Sequence, residues 1–374
     1  MKKIRIGITG QFGFVGKHLF NTLGIYPDQF ERIPFEKTYF DQPVLMEAFV
    51  KQCDVVVHLA AVNRHHDPDF IYSKNRELSL KLLDALINTG SKAHVIFSSS
   101  TQEERDNQYG KAKKEAREAL ASWAKSAAAS FTGLVIPNVF GPFGNPYYNS
   151  VVATFCHQLT HNEIPKIDVD GQLKLIYVGE LVEIIIRQLK SNNTINLLPV
   201  AHTHEIKVSE ILTLLEGYKQ QYLDKGIIPV LNNRFETNLF NTFRTYINHS
   251  NHYPVKYVQH TDQRGAFVEV IRLNVGGQIS FSTTVPGVTR GNHFHTRKIE
   301  RFSVIKGNAL IQLREIGTDK CMDFYLEGSE PAYVDMPVWY THNIKNIGTE
   351  DLYTIFWINE FYDVNDPDTF FENV

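Results

Sequence analysis

Cysteine is scarce in this chain: three residues in 374, Cys53, Cys156 and Cys321, lie far apart. An odd number with no CxxC pair argues against a disulfide framework and against a thiolate zinc site. An excess of one charge is also missing. Lys and Arg number 38 against 41 Asp and Glu, a net of −3, and no Lys/Arg block occurs. That balance leaves no electrostatic footprint for nucleic acid or an acidic membrane surface. No apolar run approaches the roughly 18 residues that a membrane span needs. The opening MKKIRIGITG starts basic, but Gly7, Thr9 and Gly10 follow at once and no signal-type apolar core develops. The expectation is a soluble cytoplasmic protein with no nucleic-acid partner and no membrane insertion.

What is present is ordinary globular material, 43% hydrophobic and 12% aromatic, long enough for two or three domains. The grammar changes part-way along. Up to about Phe243, apolar runs such as Ile4–Thr9, Val55–Leu59, Val95–Phe97 and Gly133–Ile136 alternate with the helical patterns Leu78–Ile87, Lys111–Trp123 and Glu180–Leu189. Such alternation predicts an α/β Rossmann-type, doubly wound parallel sheet. After about Asn251 come short β-rich runs, among them Phe267–Leu273 and Ile279–Thr284, punctuated by Gly and Pro. Those predict an all-β barrel or sandwich. The boundary is set in the polar segment between them, giving domains 1–247 and 252–374.

In the first half, Gly10-Gln11-Phe12-Gly13-Phe14-Val15-Gly16 follows the first strand and opens a helix. A glycine loop there lets backbone N–H groups approach a pyrophosphate at the helix N-terminus. Leu59-Ala60-Ala61 ends a second buried run with small residues, and Ser98-Ser99-Ser100 ends a third. Tyr109 and Lys113 are four apart, hence on one helix face. A nearby ammonium is expected to lower the phenol pKa towards neutrality, and a serine can hold a carbonyl alongside. A Tyr-xxx-Lys pair alone means little; its order after the glycine loop, LAA and SSS carries the weight.

This ordered set resembles the extended short-chain dehydrogenase/reductases that act on nucleotide sugars. The resemblance implies that Gly10, Gly13 and Gly16 belong to the cofactor loop and that Ser100, Tyr109 and Lys113 are catalytic, with Lys113 also touching the nicotinamide ribose. Pro137, Asn138 and Val139, within Ile136–Pro142 (IPNVFGP), resemble the family's segment beside nicotinamide and sugar. Gly171–Glu180 resembles the segment that closes the nucleotide-sugar pocket. Thr101 and Gln102 replace the Asp-Glu pair of the 4,6-dehydratases, which favours plain carbonyl reduction. The family leans to NADP(H). Glu36, with Arg32 and Lys37 nearby, leaves NAD open.

In the second half, Gly287 to Gly307 reads G(x)5HxH(x)4E(x)6G, with His293, His295 and Glu300 in register. Two histidines at i and i+2 on a strand project to one face, and a carboxylate on the next strand can join them. Pro337 to His342 supplies a further histidine. Three His and one Glu suit one divalent ion, Zn, Mn, Fe or Ni. The pattern resembles the two cupin motifs, except that Trp339 stands where the second usually has glycine. Asp262-Gln263-Arg264-Gly265-Ala266-Phe267-Val268-Glu269 resembles the entry of cupins that epimerise keto-sugar nucleotides, and Lys298 and Tyr340 are acid–base candidates near the metal.

Over nearly its full length the chain resembles the CapF/WbjC-type enzymes of capsular polysaccharide and lipopolysaccharide biosynthesis. That resemblance implies a partner, a UDP-activated 4-keto-6-deoxy amino sugar, epimerised at C3 in the cupin and then reduced at C4 with NADPH. It also implies a zinc-type metal centre and a homodimer. Two alternatives stand beside it: a single-activity ketoreductase whose zinc cupin only dimerises, and a non-enzymatic NADP sensor.

Overall fold

The computed structural model describes residues 2–191, 193–263 and 265–374. Five runs form β1 (Ile4–Thr9), β2 (Phe30–Ile33), β3 (Val55–His58), β4 (His94–Ser100) and β5 (Phe131–Ile136). With β8 (Ile195–Pro199) they pair in parallel in the order β2-β1-β3-β4-β5-β8. Both faces must be covered, and side-chain alternation shows how. Ile6, Ile8, Val55 and Val57 point to one core, shared with Leu19 and Leu23 of α1 (Phe14–Ile25) and Leu181 and Ile185 of α6 (Val178–Leu189). Val56, Val95 and Phe97 point to the other, shared with α2 (Pro43–Gln52), α3 (Pro68–Asn88) and α4 (Gln108–Ala127) through Phe49, Leu82 and Leu120. A small sheet of β6 (Asn138–Phe140), β7 (Gln172–Tyr177) and β9 (His204–Lys207) completes this unit. The doubly wound expectation holds.

Packing divides the chain into one unit of residues 1–151 and 170–208, and another of 152–169 and 209–374. The helices α5 (Val151–Thr160), α7 (Val208–Tyr218), α8 (Arg234–Arg244) and α9 (His249–His252) therefore fall mainly in the second unit. The sequence boundary at 247–252 instead marks where strand–helix alternation stops.

The rest of the second unit is antiparallel. One five-stranded sheet joins β10 (Val255–Lys256), β13 (Gln278–Thr284), β15 (Glu300–Lys306), β18 (Ala332–Met336) and β20 (Leu352–Ile358). The other joins β14 (Thr289–Phe294), β16 (Asn308–Glu315), β17 (Cys321–Glu327), β19 (Tyr340–Asn346) and β21 (Phe370–Phe371). A separate hairpin, β11 (Gln259–Asp262) with β12 (Gly265–Val268), carries the expected DxRGxFxE run, whose Arg264 lies outside the described residues. The strand expected over Phe267–Leu273 ends at Val268; beyond it Glu269 and Arg272 form an exposed ion pair at 2.6 Å.

A buried charge network ties α8 and the turn before it to this barrel. Arg301 Nε donates to Asp335 Oδ1 at 2.7 Å, Tyr222 Oη donates to Asp335 Oδ2 at 2.6 Å, and Arg244 Nη2 donates to the Met336 carbonyl at 2.8 Å. Burial alone would raise the Asp335 pKa; Arg301 outweighs it and holds the carboxyl below its ordinary value. This contribution to stability is present above the ordinary carboxylate pKa and is lost as pH falls through the depressed one. Asp335→Ala leaves Arg301 buried and uncompensated, and is expected to cost about 3–5 kcal/mol in denaturant unfolding. A loss below about 1 kcal/mol would mean the network stabilises little.

Candidate active sites

The strand order reverses direction at β1, which has β2 on one side and β3 on the other. Ligands of such sheets bind outside the carboxyl ends of the strands at that switch point. The predicted residues all follow carboxyl ends there: Gly10–Gly16 after β1, Leu59–Ala61 after β3, Ser100 at the end of β4, and Pro137–Val139 after β5. The loop geometry fits a dinucleotide. Gly13 caps α1 with no side-chain cap, so the first-turn N–H groups of that helix are not taken by a capping side chain. A Cβ on Gly16 would lie 2.1 Å from the Gly10 carbonyl oxygen, so only glycine lets the helix start this close to the loop. Gly16→Ala is therefore expected to weaken NADP(H) binding at least about tenfold by calorimetry. Unchanged affinity would remove the loop from the cofactor site.

Asn107 caps α4, accepting from Gly110 N at 2.8 Å, which sets Tyr109 in the first turn and Lys113 one turn on. Lys113 is 3% exposed; its Nζ donates to the Ser98 carbonyl at 2.8 Å and lies 5.8 Å from the Tyr109 ring centroid. Desolvation pulls its pKa down to about 7, with Glu103 opposing. The expected lowering of the Tyr109 phenol is not found: desolvation, then the neighbouring Tyr148, push it above its ordinary value. The spacing revealed the ammonium, but not the burial that outweighs it. Tyr109 is thus a protonated phenol at neutral pH rather than a tyrosinate. Ser100 begins the turn after β4, its Oγ accepting from Gln102 N at 3.2 Å.

Sequence reasoning missed the groups that hold these residues. Arg117 makes a two-pronged, buried pair with Glu103 (Nε to Oε1 2.9 Å, Nη2 to Oε2 2.8 Å), and Ser99 Oγ also donates to Glu103. This pins the Ser100 turn to α4. His18 on α1 donates from Nε2 to the Pro142 carbonyl at 2.8 Å, tying the cofactor helix to the segment after β6. Neither pair has a spacing that marks it; each is a tertiary contact.

In the second unit, β14 and β19 pair so that His293 faces His342, while the turn after β14 carries His295 and β15 begins with Glu300. Their ligand atoms all lie within 4.8 Å of one another. The tautomers support a cation. His295 Nδ1 contacts the Asp368 carbonyl at 2.5 Å, and His342 Nδ1 contacts the Tyr340 carbonyl at 3.2 Å. A carbonyl only accepts, so in both rings Nδ1 carries a proton and Nε2 is the ring atom turned toward the cluster, where it can ligate an ion or share a proton with Glu300. Both Nε2 atoms stand 3.2 Å from Glu300 Oε2, and His342 Nε2 is buried without a hydrogen-bond partner. A positive ion set between these nitrogens and the carboxylate would satisfy all of them at once. The four residues fit a divalent metal.

Trp339 has φ of +64°, a left-handed conformation costing about 1–3 kcal/mol in a bulky residue. That explains why the motif position ordinarily takes glycine. Here Trp339 N donates to the His295 carbonyl at 2.8 Å and the indole stacks on Phe294, 5.6 Å between centroids. Of the two acid–base candidates, Lys298 Nζ donates to the Pro367 carbonyl at 2.6 Å, and Tyr340 is buried with its hydroxyl 3.5 Å from Glu315.

Residues 6–197 match the NAD dependent epimerase/dehydratase family, and residues 260–370 match the polysaccharide biosynthesis C-terminal domain. A Pseudomonas aeruginosa protein named UDP-2-acetamido-2,6-beta-L-arabino-hexul-4-ose reductase is 32% identical over 98% of both chains. The chain belongs to the NAD dependent epimerase/dehydratase family. Within it, this epimerase/dehydratase chain has the two-part CapF-type build. The capsular polysaccharide assembling protein CapF of Staphylococcus aureus is 34% identical, covering 99% of this chain and 100% of its own, with a TM-score of 0.63. RMD of Pseudomonas aeruginosa, 22% identical over 58% of this chain and 83% of its own with a TM-score of 0.53, shares the fold. Among the described residues, no helix is long and apolar enough to cross a membrane.

Proposed function

We propose that the chain is a bifunctional UDP-sugar enzyme of capsular or O-antigen polysaccharide biosynthesis. The cupin, residues 252–374, inverts C3 of a UDP-4-keto-6-deoxy-N-acetylhexosamine. The reductase domain, residues 1–247, then reduces the C4 ketone to give UDP-N-acetyl-L-talosamine, on the way to UDP-N-acetyl-L-fucosamine. The carrying observation is that one chain holds two candidate sites: Ser100 at the end of β4 with Tyr109 and Lys113 on the following helix, and three His with Glu300 converging in the cupin. The name of the Pseudomonas relative, a reductase of a UDP-linked 4-ulose, supports the second step.

Chemistry sets the order. A C4 ketone acidifies the C3 proton, so inversion is proton removal and return on the opposite face. Reduction destroys the ketone and must follow. The glycine loop would hold NADPH, which when bound would supply hydride for C4. Tyr109 passes its phenolic proton to O4, Ser100 positions that oxygen, and the Lys113 ammonium stabilises the phenolate left behind. His293, His295, Glu300 and His342 would hold a divalent ion, zinc in this reading, which would supply Lewis-acid polarisation of the ketone. The working form is a cytoplasmic homodimer.

Incubation of the 4-keto substrate with enzyme and NADPH, followed by NMR of the product, tests the reading. The expected product is inverted at C3 and reduced at C4. Reduction without inversion would leave a single-activity ketoreductase with a structural metal. No NADPH consumption with any 4-keto nucleotide sugar would leave a dinucleotide-binding sensor.

A further inference from the structure

The residue that organises the metal cluster from outside comes from the far C-terminal end. Three of the four candidate ligands lie about one turn: His293 precedes it, His295 opens it, and Glu300 follows it. Asp368 closes that turn. Its Oδ1 accepts from Thr296 Oγ1 at 2.6 Å and Thr296 N at 3.1 Å, and its Oδ2 accepts from Arg297 N and Lys298 N, both at 3.0 Å. Its backbone carbonyl accepts from His295 Nδ1 at 2.5 Å. One residue thus satisfies three consecutive backbone donors and also fixes the tautomer and rotation of a ligand ring.

The placement is held firmly. Asp368 is 3% exposed and has φ of +39°, a conformation that Asp and Asn tolerate better than most residues. Lys298 Nζ grips the neighbouring Pro367 carbonyl. Just beyond, β21 pairs with the ligand strand β14, His293 opposite Phe371, and Glu372 N donates to the Asn292 carbonyl at 3.0 Å. The last residues of the chain are therefore built into the edge of the strand that carries HxH.

We propose that Asp368 is the positioning residue of the cupin metal centre, locking the 295–298 turn through its carboxylate and the His295 ring through its carbonyl. This rests on the reading of His293, His295, Glu300 and His342 as a metal site. Partners of this kind contribute about 10- to 100-fold to metal affinity.

The test uses the full chain, stripped with chelator and titrated with Zn²⁺ against a chromophoric chelator. Asp368→Asn keeps the backbone carbonyl and the tolerated conformation but replaces one acceptor oxygen with a donor. It is expected to bind Zn²⁺ about 10- to 100-fold more weakly. The rise in unfolding temperature that Zn²⁺ gives should shrink, beyond any change in the stripped protein. Thr296→Val, which removes only the hydroxyl donor, should weaken binding several-fold and serves if Asp368→Asn does not fold. A stripped protein of lower stability with Zn²⁺ affinity within twofold of wild type would make Asp368 merely structural and overturn the inference. Wild-type protein that takes up no Zn²⁺ would overturn the metal reading itself, a distinct result.

Discussion

Tyr109→Phe is expected to lower C4 reduction about 10²- to 10⁴-fold, read as NADPH oxidation with the C3-inverted ketone, while cofactor affinity stays within a few-fold. The substitution removes one oxygen from a half-buried ring whose position is set by the Asn107 cap and by packing. Burial holds that phenol protonated at neutral pH, so the variant loses the proton that must reach O4 as hydride arrives. Hydride transfer then leaves alkoxide charge on O4 with no donor beside it. A loss under about tenfold would mean that another group, such as Ser100 or water, is the acid.

Glu300→Gln is expected to cost more than about 100-fold in Zn²⁺ affinity and to abolish C3 inversion, while reduction of a pre-inverted ketone continues. The carboxylate is the only anionic member of the cluster and stands 3.2 Å from two ligand nitrogens at once. Losing it removes a ligand oxygen and the charge that compensates the ion, a larger effect than losing a partner of a ligand. His295 and His342 hold Glu300 well below the usual carboxylate range although burial opposes them, so it is ionised whenever the protein is folded at neutral pH. Metal analysis of the purified variant together with C3 proton exchange checks this. Full metal occupancy would remove Glu300 from the ligand set, and full exchange without metal would separate inversion from the ion.

Both candidate sites are legible in sequence because their signals are local. Tyr109 and Lys113 share a helix face at i and i+4; His293 at the end of β14 and His295 just past it keep the HxH spacing; glycine marks the loop where a Cβ would strike the Gly10 carbonyl. The doubly wound sheet was legible too, since buried runs with apolar residues on both faces demand helices on both sides. What stayed hidden is tertiary. Asp368 lies 73 residues from the ring it orients, and Glu103 lies 14 from Arg117, with no period connecting either pair. The direction of the Tyr109 pKa is tertiary for the same reason: spacing shows a charged neighbour but not desolvation. Packing of α7 and α8 with the barrel was invisible because their apolar faces look the same whichever unit they cover.

The most direct measurement is deuterium incorporation at C3 of the UDP-4-keto sugar in D₂O without NADPH, followed by mass spectrometry and NMR after NADPH is added. Wild type should take up deuterium before any reductant is present and then give a C4-reduced, C3-inverted sugar. Tyr109→Phe should exchange but not reduce, and Glu300→Gln should not exchange. No deuterium at C3 with wild type, alongside normal reduction, would contradict the two-site account.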